Sequence, residues 1–136
     1  MTHDEIMKKW YWKRCQETAS LWYQCVAWAK KYCDERWYAI GSFNWSAINW
    51  WKSWSPFDNS WKRVNKTKMN YPSEWDIVFF DWWTYGHVAV ANKFCNPVLL
   101  RWSEQNINWT GSWLGKDAIS PFWRSYSGCV GWFTRK

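Results

Sequence analysis

From Leu21 to about Arg36, apolar residues at positions 22, 25, 26, 29, 32 and 33 recur at the i, i+3, i+4, i+7 spacing that marks one face of a helix. Ser20 precedes the run and is the better N-cap candidate in Thr18-Ala19-Ser20. Residues 1–20 carry a weaker helical pattern, with Ile6 and Met7 set among charges. The stretch from Tyr38 to Lys68 is rich in Gly, Ser, Asn, Pro and Trp. It predicts a short helix near Ser46–Trp51, no clear strand, and a long connection forming one wall of a cleft. After Pro72 the texture changes. Asp76–Asp81, His87–Asn92 and Val98–Ser103 hold β-branched and aromatic residues between turn residues, and predict consecutive antiparallel strands. Two more strands follow near Ile119–Arg124 and Cys129–Thr134. Helices first and a meander of about five strands afterwards define an α+β domain, with the N-terminal helices packed on the sheet.

A chain of 136 residues accommodates one domain over positions 1–136. No apolar run reaches the ~18 residues needed to span a bilayer. Met1 to Lys9 has charges but no apolar core and no small-residue cleavage site, so no secretion signal is legible and export falls to another route or a trimmed leader. Eighteen Lys and Arg against eleven Asp and Glu give a formal charge of +7, which attracts polyanions such as nucleic acid or an anionic cell wall. The densest basic run, Trp61 to Lys68, reads as a solvated loop, and nucleic acid is not the expected partner. Cys15, Cys25, Cys33, Cys95 and Cys129 form no CxxC pair, and His3 and His87 are the two histidines. Zinc of the usual ligand spacing is therefore not expected, and an odd cysteine count leaves at least one thiol free if the others pair.

The order of reactive residues is more informative than any one of them. A cysteine nucleophile needs a base to take its proton, a third group to orient the base, and donors for an oxyanion. Cys25 lies in or just after the first turn of the predicted helix, where partial positive charge and unpaired N–H groups favour a thiolate. His87 opens a strand, and Glu104 or Asn106 at the end of the next one can reach its ring, since residues two apart share a strand face. Each has a plainer reading: a small buried hydrophobe for Cys25, a satisfied strand histidine for His87, solvated turn residues for Glu104 and Asn106, an exposed helix-start residue for Gln24, and a turn-forming Asx residue for Asp76.

Gln24-Cys25-Val26, Pro72 to Phe80, Gly86-His87-Val88-Ala89-Val90, Glu104-Gln105-Asn106 and Gly131-Trp132-Phe133 together resemble the CHAP domain, a cysteine- and histidine-dependent amidohydrolase/peptidase of the papain-like, NlpC-type superfamily. The resemblance covers most of residues 15–134. It implies a papain-like fold and peptidoglycan hydrolysis, at the N-acetylmuramoyl-L-alanine amide or within the stem or cross-bridge peptide. It implies Cys25 as nucleophile, His87 as base, Glu104 as orienting carboxylate and Asn106 as fourth polar member, with Gln24 before the nucleophile and the oxyanion beside the Cys25 backbone N–H. An endolysin-like monomer acting at the cell wall or outside the cell, delivered by a phage or through a holin, is the corresponding expectation. Some members bind calcium upstream of the cysteine, but Lys13 to Thr18 lacks the oxygens, so no metal and no cofactor are expected. The alternative from another class is a non-catalytic wall- or glycan-binding module that uses exposed Trp and basic side chains. A basic, aromatic single-strand nucleic-acid binder is a third reading.

Eighteen tryptophans against six glycines is an unusual balance. The tryptophans have no fixed period. Trp75, in the turn before Asp76, and Trp37, after the predicted helix, occupy positions where positive φ and hence glycine are expected. Trp82-Trp83, Trp109 and Trp113 also lie in loop-like surroundings, whereas Trp22, Trp54 and Trp132 read as core. Two explanations stand at this level. Some of these codons are UGA read as glycine in the source, or the surface is tryptophan-rich for stacking on sugars.

Overall fold

A computed structural model describes residues 1–13, 25–38, 46–53, 57, 59–82, 84–104 and 120–136. Helix α1 (His3–Trp10) starts at a capping box: Glu5 N–H donates to the Thr2 hydroxyl at 3.2 Å, and Thr2 N–H donates to the Glu5 carboxylate at 2.7 Å. Its acidic first turn and basic last turn both suit the helix dipole. Ile6 and Met7 are buried, and His3 is a satisfied core histidine between the Tyr32 hydroxyl at 2.8 Å and Asn92 Oδ1 at 2.9 Å.

Helix α2 (Cys25–Glu35) buries Cys25, Val26, Ala29, Tyr32 and Cys33, the periodic positions, and also Ala27 and Trp28. The predicted cap at Ser20 lies outside the described residues. Helix α3 (Ala47–Ser53) buries Trp50 and Trp51, whose rings meet Phe57, Phe79 and Phe133.

The strands are β1 (Trp61–Asn65), β2 (Ile77–Phe80), β3 (His87–Ala91), β4 (Leu100–Glu104), β5 (Ser120–Arg124) and β6 (Cys129–Arg135). They form one antiparallel sheet in the order β1-β6-β2-β3-β4-β5. Ile77, Phe79, Val88, Val90 and Phe133 face the helices, and Val78, Phe80, Ala89, Ala91, Trp102 and Trp132 form a second cluster. Burial on both faces explains why β2 and β3 are apolar at nearly every position rather than alternating.

Two expectations are corrected. The sheet has six strands rather than about five, because Trp61 to Asn65, within the run read as a solvated loop, pairs residue for residue with β6. A basic segment suits an edge strand: Trp61 is buried, Lys62 is exposed, and the Arg63 guanidinium lies 4.2 Å over the Trp51 ring. The two closing strands also do not pair with each other. β5 extends β4, while β6 inserts between β1 and β2.

Candidate functional site

The antiparallel pairing of β2 with β3 places His87 opposite Phe80 at the start of β3. Gly86 before it has φ +69, and a Cβ there would stand 2.8 Å from the Phe80 carbonyl oxygen, so only glycine lets the chain turn into β3 this close to β2. The imidazole is buried. It stacks on Trp82 with ring centres 5.5 Å apart, and Trp82 stacks in turn on Phe80. Glu104, the last residue of β4, is fully buried, and its Oε2 lies 2.6 Å from His87 Nε2. Glu104 Oε1 has no hydrogen-bond partner among the described residues.

Cys25 is the first residue of α2 and 8% exposed. It hydrogen-bonds to the same imidazole that meets Glu104. Burial alone would push the His87 pKa down. Electrostatic interaction and hydrogen bonding with Cys25 and Glu104 outweigh that and raise it from 6.5 to about 10. Both neighbours thus favour the protonated form of the imidazole, which stands between a sulfur and a carboxylate. The thiol, imidazole and carboxylate come from three elements, α2, β3 and β4.

Gln24 and Asn106 lie outside the described residues, as do the rest of 14–24 before Cys25 and of 105–119 after Glu104. Two clefts formed by described residues lie elsewhere. One of about 610 Å³ is bordered by Lys8, Asn92, Phe94, Arg101 and Trp123, and one of about 470 Å³ by Tyr38, Trp75, Asp76 and Arg135. Asp76 fills the turn role expected of it, its Oδ2 accepting from Ser73 N–H at 2.8 Å. Burial raises its pKa to about 6 despite that bond and one to Thr134.

Trp28 and Ser103 are participants the sequence did not reveal. Trp28 Nε1 donates to Ser103 Oγ at 3.2 Å, and Ser103 Oγ donates to the Val90 carbonyl at 3.5 Å, all within the core. One hydroxyl therefore ties α2, β3 and β4, the elements bearing Cys25, His87 and Glu104. No spacing rule marks a serine for this task. S103A leaves the buried indole N–H unsatisfied and is expected to cost about 1–3 kcal/mol in denaturant unfolding. A cost below a few tenths would show that the strap is dispensable.

No family model matches the chain, and no curated protein sequence matches it. Among solved structures, the wild-type endolysin LysIME-EF1 superposes with a TM-score of 0.77 at 14% identity. The fold is α+β and papain-like. The alignment covers 98% of this chain and 62% of the endolysin chain, so the chain spans under two thirds of that protein's length.

Proposed function

We propose that this chain is a CHAP-type cysteine hydrolase of peptidoglycan, cleaving an amide as an N-acetylmuramoyl-L-alanine amidase or as a stem or cross-bridge endopeptidase. One observation carries the reading: a buried His87 whose ring meets the Glu104 carboxylate at 2.6 Å, with Cys25 beside it at a helix start. The likeness of fold to an endolysin points to the same class of substrate.

In the proposed reaction the Cys25 thiolate attacks the amide carbonyl carbon, and the backbone N–H groups at the start of α2 receive the oxyanion. The tetrahedral intermediate collapses as His87 gives its proton to the leaving amine, which departs and leaves a thioester on Cys25. The neutral imidazole then takes a proton from water. The resulting hydroxide attacks the thioester, the acid is released, and the thiolate and imidazolium are restored. Glu104 orients the ring and stabilises its charge, with Asn106 as the fourth polar member and Gln24 beside the nucleophile. Action at the wall or outside the cell, as a monomer, with no metal or cofactor, belongs to the same proposal. Among the described residues no helix is long and apolar enough to cross a membrane.

Mass analysis of purified peptidoglycan after digestion tests the reading and its two branches. Release of intact stem peptides from the glycan identifies the amidase, and cuts inside the stem or cross-bridge identify the endopeptidase. A wall that binds the protein yet stays uncut after prolonged incubation rules out both.

A further inference from the structure

Among the described residues four that are not glycine have φ in the left-handed region: Trp12 at +68, Trp37 at +61, Trp75 at +88 and Phe94 at +67. Three of the four are tryptophan. For a residue with a Cβ that region is crowded, and for a bulky one it is a genuine outlier.

The hydrogen bonds around each tryptophan define a turn that calls for glycine at that position. After α1, Lys13 N–H donates to the Trp10 carbonyl at 3.0 Å, and Tyr11 has φ −52 and ψ 136. With Trp12 at +68 this is a type II turn, whose third residue is normally glycine. After α2, Tyr38 N–H donates to the Cys33 carbonyl at 2.8 Å and Trp37 N–H to that of Asp34 at 3.0 Å. Those two bonds are the Schellman pair, and Trp37 is its left-handed C′ residue. Before β2, Asp76 N–H donates to the Ser73 carbonyl at 3.1 Å, which puts Trp75 third in a turn requiring positive φ.

The side chains give no compensating reason to be there. Trp12 is 72% exposed, Trp37 87% and Trp75 40%. Among the described residues the Trp75 indole meets the Arg36 guanidinium and Glu74, both half-buried. Trp28, Trp50, Trp61 and Trp102 are the reverse case, fully buried and within the core.

We infer that positions 12, 37 and 75 carry glycine in the native protein, encoded by UGA, a codon that some genetic codes read as tryptophan and others as glycine. The four fully buried tryptophans are encoded by UGG and are tryptophan in fact. No code reads a phenylalanine codon as glycine, so Phe94 stays an aromatic residue in a left-handed turn. The inference bears on function while resting on none of the catalytic argument. Of the four exposed tryptophans among the described residues, Trp123 alone would remain, and a module stacking sugars on tryptophan faces would lose most of its platform.

Two measurements test this. Sequencing the gene should give UGA at codons 12, 37 and 75 and UGG at 28, 50, 61 and 102. The triple variant W12G/W37G/W75G should melt higher by about 5–10 °C, the left-handed penalty of three side chains less the extra chain entropy of glycine. The corresponding alanine variant also loses the indoles but keeps each Cβ, and should gain little. UGG at all three codons overturns the inference, and so do glycine and alanine series that melt alike.

Discussion

Replacing Cys25 by alanine is expected to abolish cleavage of cell walls, by about 10⁴-fold or more, while the protein stays folded. In the proposed mechanism the Cys25 sulfur is the protein atom that forms a bond to the substrate carbonyl carbon, and alanine offers no nucleophile in its place. Alanine is small and a strong helix former, and it leaves His87 with its Glu104 partner, so the structural cost at this nearly buried position is slight. Turbidity clearing of purified walls, with far-ultraviolet circular dichroism to verify folding, checks the result. Retained lysis by a well-folded C25A protein would refute the assignment.

The second large effect falls on stability as well as activity. His87→Ala should remove activity as completely as C25A and also destabilise the fold by about 3–5 kcal/mol, because it strips a fully buried carboxylate of its counter-charge. Among the described residues Glu104 Oε1 has no hydrogen-bond partner to fall back on. Glu104→Gln keeps the shape and removes the charge, so it should lower activity less than loss of His87, by about 10²-fold. Replacing both residues should recover part of the H87A stability loss, since no buried charge is then left unpaired. Equal and complete losses for E104Q and H87A would mean instead that Glu104 maintains the fold.

The pH dependence has a definite sign. The folded protein holds the His87 proton more tightly than the unfolded chain does, with a pKa of about 10 against 6.5. That contribution to stability is complete below about pH 6.5 and disappears as pH rises through about 10. The gap in melting temperature between wild type and H87A should therefore narrow steadily across that window. A constant gap would show that the imidazole is not protonated in the fold.

The strands and α2 were legible because their signals are local. Apolar positions at 25, 26, 29, 32 and 33 fix a helix face whatever it packs against, and the apolar runs at Ile77–Phe80 and Val88–Ala91 suit strands between two layers. β1 was missed because Lys62 and Arg63 look solvated until β6, far along the chain, supplies the pairing edge. Trp37 and Trp75 were legible as positions of positive φ, since turn and helix-end chemistry is written in a few neighbouring residues. Trp12 was not, because the end of α1 carries no such signal.

The amino-acid order by itself determined the fold class and nominated Cys25, His87 and Glu104, the last only as one of two candidates beside Asn106. Helical and strand periodicities, and a cysteine at a helix start, depend on residues close together in the chain. What the tertiary structure decided is everything that depends on distant segments meeting: the place of β6 between β1 and β2, the Ser103 hydroxyl joining three elements, and the burial of Glu104 against His87. The raised pKa of His87 belongs to that second group, because desolvation and its Cys25 and Glu104 neighbours act on it only once the sheet and α2 have packed.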